Sequence, residues 1–292
     1  MRTASGTIIK GIGGFYYVDT GSEIIECRAR GKFRKTHELP MVGDRVEVEV
    51  GEENTGSVVK ILPRRNFLVR PSVANIDVLV AVSAAATPEP DYLLADKLLV
   101  VAEHRNIEAI VCINKTDLVS AEETEKFLSA YRRAGYKAIA VCAERGSGTD
   151  ELFSLIDGKT AAFAGLSGVG KSSLLSLITG RDLAVGGVSK IERGKHTTRH
   201  VELIPAGSGY IFDTPGFSRL ELEDIRAEEL RMLFPEMARL EGQCRFRGCN
   251  HVAEPGCAVL AAVESGEIAE SRLKSYKEIF DVLKNIKEWE LK

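Results

Sequence analysis

Residues 161–173 read AAFAGLSGVGKSS: an apolar run from Ala161 to Ala164, a glycine-rich turn, and then Leu174, Leu175, Leu177 and Ile178 at helical spacing. Gly165-x-x-x-x-Gly170-Lys171-Ser172 is a phosphate-loop pattern in the strand–loop–helix setting that such a loop requires. Its glycines let consecutive backbone N–H groups turn towards one anion at the positive end of the new helix. The pattern predicts that Gly165, Ser167, Gly168, Val169, Gly170, Lys171, Ser172 and Ser173 cradle nucleotide phosphates. Lys171 would reach the β- and γ-phosphates, and Ser172 would offer its hydroxyl to Mg²⁺. A glycine-rich turn that merely precedes a helix is the plain alternative; the full pattern in its setting weighs against it.

Upstream, the apolar run Ala109 to Ile113 reads as a buried strand and ends in Asn114-Lys115-Thr116-Asp117. An aspartate carboxylate can accept from both N1–H and the 2-amino group of guanine. Adenine offers neither donor and would leave a buried charge unpaired. Asn114 can brace the surrounding loops, and the Lys115 stem can lie over the purine face. The next strand, Lys137 to Cys142, runs into Ala143-Glu144, where Ala143 is expected to present a backbone amide to guanine.

Downstream of the phosphate loop, Gly180 to Lys195 has no strong period. His196-Thr197-Thr198-Arg199 follows, then a short strand Val201–Ile204, then Tyr210-Ile211-Phe212 running into Asp213-Thr214-Pro215-Gly216. Asp213 is expected to hold Mg²⁺ through water, and the Gly216 amide to sense the γ-phosphate. One threonine should ligate Mg²⁺ in the triphosphate state, with Thr198 preferred over Thr197. Base-reading motifs thus precede phosphate-reading ones, whereas most GTPases run the other way. Permutation moves chain ends without changing the assembled site, and it places the last switch directly before the C-terminal segment.

The flanks suggest three domains: 1–68, 69–219 and 220–292. Period-two alternation over Thr7–Lys10, Phe15–Val18, Glu23–Cys27, Arg45–Val50 and Gly56–Ile61 predicts a five-stranded OB-type β-barrel for RNA, although SH3-like barrels share the pattern. Between its third and fourth strands lies a basic loop, Arg28 to His37, containing Phe33. It is either a phosphate and base contact or a solvated charged loop. Residues 69–219 alternate strands and helices, which implies an α/β domain with a parallel sheet. The last segment carries Leu222, Ile225, Leu230, Leu233 and Phe234 at roughly helical spacing, and an amphipathic helix over Ile268–Trp289. Between them, Cys244-x₄-Cys249-x-His251-x₅-Cys257 supplies three thiolates and one imidazole for a closed tetrahedral zinc site. Arg245, Phe246, Arg247 and Asn250 stand among those ligands and could face RNA, while Trp289 reads as a packing anchor. Cys27, Cys112 and Cys142 lie in strand-like runs where a buried thiol is the default. The formal net charge of -3 means that binding to RNA would need a local basic face. No apolar run approaches the ~20 residues of a membrane span, and the N-terminus, MRTASGTIIKGIGG, lacks a signal core. A cytoplasmic protein without membrane contact is expected.

With these motifs assembled, the chain closely resembles the RsgA/YjeQ family of circularly permuted, ribosome-associated GTPases. The resemblance covers barrel, permuted GTPase and zinc module. It implies GTP hydrolysis to GDP stimulated by the 30S ribosomal subunit, late in 30S maturation, with binding to 16S rRNA and release on hydrolysis by a monomer. Many GTPases place a water-orienting glutamine just after Asp-x-x-Gly; here that residue is Phe217. The family's Gly-x-His-Thr-Thr pattern points instead to His196 as the residue that positions water, beside Lys171 and Thr198. A role in holding the switch or touching rRNA is its alternative. A permuted GTPase for another RNA, and an RNA-binding protein with a merely structural nucleotide pocket, are the competing readings.

Overall fold

A computed structural model describes residues 2–35, 38–181, 201–213, 222 and 224–286. It divides into two compact units: Met1–Val78 with Ile156–Ala162 and Gly187–Phe217, and Leu79–Leu155 with Phe163–Gly186 and Ser218–Lys292.

The first unit begins with strands β1 (Arg2–Ile12), β2 (Phe15–Asp19) and β3 (Ile24–Ala29), a single helical turn α1 (Lys32–Lys35), and strands β4 (Arg45–Val50) and β5 (Thr55–Ile61). Their order is β1-β2-β3-β5-β4, with β4 pairing back onto β1. β3 and β5 are parallel and the other neighbours antiparallel. This closure is that of an OB barrel and removes every sheet edge. The alternating apolar positions point inward: Ile8, Val18, Ile25, Cys27, Val46, Val48 and Val58 are all fully buried. β1 is longer than its alternation suggests. Arg2–Thr7 pair with β4 and Thr7–Ile12 with β2, with a register shift between Ile8 and Lys10. One bulged strand therefore serves two neighbours. The connector that follows carries two short strands, β6 (Phe67–Leu68) and β7 (Val73–Ala74). Its Arg64 donates to the fully buried Asp44 from two nitrogens, at 2.7 and 2.8 Å. That arginine, read from sequence as part of a basic connector, ties the connector to the barrel.

The second unit holds β8 (Val78–Ala84) from Leu79 on, α2 (Tyr92–His104), β9 (Glu108–Asn114), α3 (Ala121–Ala134), β10 (Lys137–Ala140), α4 (Thr149–Ile156) up to Leu155, and α5 (Lys171–Thr179); of β11 (Thr160–Ala164), Thr160–Ala162 belong to the first unit and Phe163 and Ala164 to the second. β10, β9 and β8 run side by side, β9 and β10 in parallel. All seven residues of β8 are buried, as a strand covered on both faces requires. Asp91 caps α2 by accepting from the Leu94 amide, and Ser120 with Glu123 forms a capping box on α3. In the first unit, β12 (Glu202–Ala206) and β13 (Gly209–Asp213) form an antiparallel pair. β13 runs parallel to the start of β11, and β12 meets β1 at Lys10.

The C-terminal part of the second unit contains α6 (Pro235–Ala238), α7 (Ala258–Glu264) and α8 (Glu270–Leu283). The segment read as helical from Leu222 onward is instead a 3₁₀ turn over Ala227–Leu233, and Pro235 then starts α6. Proline at the first helical position cannot continue the turn before it. Leu230, Phe234, Val259, Tyr276 and Ile279 form a core that also includes Val100 of α2. Arg272 of α8, fully buried, sits at its edge and donates to Glu236 at 2.6 and 3.2 Å and to Asp96 of α2. The rings of Phe234, Tyr131 and Tyr136 surround its guanidinium at 4.4, 5.6 and 5.6 Å. Arg272→Ala leaves two buried carboxylates unpaired and should cost about 3–5 kcal/mol, whereas replacing Arg272, Asp96 and Glu236 together by apolar residues of similar volume should cost far less. Denaturant midpoints of the two variants check this contrast.

Candidate nucleotide site and metal cluster

β11 delivers the phosphate loop from a fully buried run, Ala161 to Ala164. Two of its glycines are required by space as well as by backbone angle. At Gly165 (φ +147°) an added Cβ would lie 2.1 Å from the Val82 carbonyl, and at Gly170 (φ +94°) it would lie 2.2 Å from Asn114 Nδ2. Ser167 and Gly168 are exposed at the tip, Val169 is buried, and Ser172 and Ser173 are half-buried in the first turn of α5. Lys171 curls back so that Nζ donates to the carbonyls of Gly165 (2.9 Å) and Leu166 (2.7 Å). Burial lowers the pKa of this ammonium, a cost that an anionic ligand would offset. Behind the loop, Val82, Leu94, Ala95 and Leu98 line a wall that includes Val169.

Asn114 closes β9 with 1% of its surface exposed. Its Nδ2 donates to Val169 O in the phosphate loop at 2.9 Å, and its Oδ1 accepts the Ala143 amide at 3.0 Å. One side-chain amide therefore joins the loop after β9, the loop after β10 and the phosphate loop. The Ala143 amide, expected to face guanine, is engaged by Asn114. Lys115 adopts a left-handed conformation (φ +62°), and its Nζ donates to Thr87 O at 2.5 Å. Thr116 Oγ1 donates to Val141 O at 3.0 Å, which anchors the turn that carries Asp117. Asp117 accepts the Cys142 thiol at 3.2 Å, with Arg145 3.9 Å from its other oxygen. Asp213 ends β13 opposite Glu202. His196, Thr197, Thr198 and Gly216, like Phe217 and Trp289, lie outside the described residues.

In the C-terminal part, Cys244, Cys249, His251 and Cys257 bring one ligand atom each to within 4.8 Å of one another. His251 Nδ1 lies 3.6 Å from Cys244 Sγ and 3.3 Å from Cys257 Sγ, and the Cys244 and Cys257 sulfurs are 3.9 Å apart. A tetrahedron with bonds of ~2.3 Å has edges of about 3.8 Å, so the cage has the dimensions to hold one metal ion. Burial raises the Cys249 thiol to about 12 and also raises Cys257. Thiolates packed here need a cation to compensate them. Arg245, Phe246 and Arg247, between the first two ligands, are all exposed.

Residues 61–223 match the RsgA GTPase family model, and residues 5–58 match that of the RsgA N-terminal domain. The chain belongs to the RsgA family. It is 49% identical to a small ribosomal subunit biogenesis GTPase RsgA of Caldanaerobacter subterraneus subsp. tengcongensis, over 99% of this chain and 98% of that one. A second RsgA, from Ruminiclostridium cellulolyticum, is 44% identical over 97% of this chain and 95% of its own. Among solved structures, YloQ, a circularly permuted GTPase, superposes with a TM-score of 0.82 at 39% identity, covering 98% of this chain and 96% of that chain. YjeQ from Thermotoga maritima gives 0.82 at 37% identity, covering 98% and 100%. The protein is therefore a GTP-hydrolysing enzyme of permuted order.

Within this RsgA-family site, sequence reasoning did not mark the thiol on Asp117 or Arg272. Cys142 read as a small core residue, and an arginine within an amphipathic helix reads as a solvated face. Lys171→Ala removes the ammonium that the loop positions. Charge-assisted hydrogen bonds of ~1.5–3 kcal/mol predict GDP binding weaker by about ten- to a hundredfold, measurable by fluorescence titration.

Proposed function

We propose that this RsgA-family enzyme hydrolyses GTP to GDP and phosphate when bound to the small ribosomal subunit, acts late in 30S maturation through contact with 16S rRNA, and leaves on hydrolysis. The observation that carries the reading is the Asn114 amide, which joins base-reading and phosphate-reading loops into one site despite their reversed order. Relatives named as small ribosomal subunit biogenesis GTPases cover nearly the whole chain and support the ribosomal target. A cytoplasmic monomer organised as 1–68, 69–219 and 220–292 fits this reading. No helix among the described residues is long and apolar enough to cross a membrane.

In the site, Gly165 to Ser173 would receive the phosphates, and Asp117 would accept from guanine N1–H and its 2-amino group. Lys115 would cover the purine face, and the Ala143 amide would share its donation between Asn114 and the guanine oxygen. Ser172 and Thr198, or Thr197, would hold Mg²⁺, with Asp213 acting through water; the ion's role is to neutralise phosphate charge. The Gly216 amide would sense the γ-phosphate. Phe217 cannot orient a nucleophile, so His196 would position the attacking water. Cys244, Cys249, His251 and Cys257 would hold one structural zinc, whose contribution is to the folding of its module.

One exposed basic–aromatic surface supports RNA contact. In the knuckle loop, the Arg245 guanidinium lies 5.4 Å from the ring of Phe246, which is 47% exposed.

GTP hydrolysis measured with purified 30S, 50S and 70S particles tests the ribosomal assignment. Stimulation by 30S is expected, and stimulation by 50S alone would overturn it. His196→Ala should lower the 30S-stimulated rate by about a hundredfold or more while GTP still binds; an unchanged rate removes the catalytic role. Cys249→Ser should reduce bound zinc from one equivalent towards none and lower the melting temperature by at least a few degrees, read by metal analysis and thermal unfolding.

A further inference from the structure

His251 turns its Nδ1 into the cysteine cage, 3.6 Å from Cys244 Sγ and 3.3 Å from Cys257 Sγ. A metal-ligating histidine ordinarily owes its ring orientation to a hydrogen bond from its other nitrogen. Here Nε2 is buried and has no hydrogen-bond partner among the described residues. The aim of the ring falls instead to packing against Tyr276, whose ring centroid is 6.1 Å away, and to the backbone that carries it. That backbone is unusual: His251 lies in the left-handed region at φ +57°, where a residue with a β-carbon stays only if its surroundings impose it.

One side chain supplies that constraint. Glu254 Oε1 accepts the Asn250 amide at 2.8 Å, and its Oε2 accepts the Val252 and Ala253 amides at 2.8 and 3.0 Å. The amide between them, that of His251 itself, donates to the Cys249 sulfur. None of these four amides bonds to a carbonyl among the described residues. The carboxylate thus stands in for the backbone acceptors that a helix or sheet would supply, and it grips the chain on both sides of the histidine. Bonds from amides to an ionised carboxylate are about twice as strong as neutral ones, which suits a turn held by so few contacts.

We propose that Glu254 is a positioning residue for the metal site: its carboxylate holds residues 250–253 in the turn that aims His251 Nδ1 at the three cysteine sulfurs. This rests on the reading that Cys244, Cys249, His251 and Cys257 hold one zinc ion. Without the carboxylate the imidazole loses its aim, while the three sulfurs, borne outside the turn, keep theirs. Loss of a nearby negative charge alone would weaken metal binding without changing the set of donor atoms, so the identity of the donors separates positioning from simple electrostatics.

The experiment titrates Zn²⁺ against a competing chelator in the full chain and records the visible absorption of the Co²⁺-loaded form. It compares wild type, Glu254→Ala, Glu254→Gln, His251→Ala and the Glu254→Ala/His251→Ala pair. Glu254→Ala should weaken Zn²⁺ binding by about ten- to a hundredfold, the usual effect of removing an outer partner of a metal ligand. Its Co²⁺ spectrum should match that of His251→Ala, with three thiolates retained and the imidazole lost. Glu254→Gln has a single carbonyl oxygen that can still accept on one side of the histidine, so it should fall between wild type and Glu254→Ala. It carries the test if the alanine variant does not fold. Once His251 is absent, adding Glu254→Ala should change the affinity by less than about twofold, because a residue that acts through another has nothing left to act on. Zn²⁺ affinity within about twofold of wild type in both Glu254 variants, a wild-type Co²⁺ spectrum in both, or full additivity with His251→Ala would overturn the proposal. Cys249→Ser is the separate control: if it binds Zn²⁺ as tightly as wild type, the metal reading itself fails.

Discussion

The buried side-chain amide of Asn114 is the interaction on which the nucleotide site depends. It sits 55 residues before Val169 in the chain, yet its nitrogen and oxygen bond to the phosphate loop and to Ala143. An unpaired amide at this depth would cost roughly 1–3 kcal/mol for each group left unsatisfied, so the three loops are stable only together. Gly170 lies so close to the same amide that no side chain fits there. This constraint explains why a reversed motif order is harmless. The loops are registered by a contact in space, and the chain may visit them in any sequence. It also orders the neighbours: with Ala143 held, the residue before it, Cys142, meets Asp117.

A second constraint joins the nucleotide-reading half of the unit to its C-terminal helices. Arg272 satisfies Glu236 and Asp96 in one buried cluster, and Asp96 belongs to α2. That helix also supplies Leu94, Ala95 and Leu98 to the wall behind the phosphate loop. The metal cluster, α8, α2 and the loop are thus successive neighbours in one packed body. Burial of the three charges is expensive, and replacing such clusters by apolar residues is often neutral or stabilising. Its retention is consistent with a need for one fixed geometry between α8 and α2.

Much of this was legible in the sequence because its signals are local. The phosphate loop, the Asn-Lys-x-Asp turn and the cysteine spacing each encode chemistry within a few residues, and the barrel announces itself by period-two alternation. The elements that escaped depend on partners far along the chain. Arg64 meets Asp44 across 20 residues, and Arg272 meets Asp96 across 176. Arg2–Gly6 carry no alternating apolar pattern, since their pairing rests on backbone bonds to β4. The apolar spacing from Leu222 resembles a helix, but Pro235 interrupts it and two shorter elements share the burial. Cys142 escaped for a different reason: a thiol at a strand end is ordinary until the carboxylate beside it is known.

The measurement that bears most directly on this account is GDP affinity of Asn114→Ala beside the wild-type protein, with circular dichroism to confirm that both are folded. Removing both bonds of one buried amide, at ~1–3 kcal/mol each, predicts a loss of about thirtyfold or more. An affinity within about twofold of wild type would contradict the claim that this side chain assembles the site.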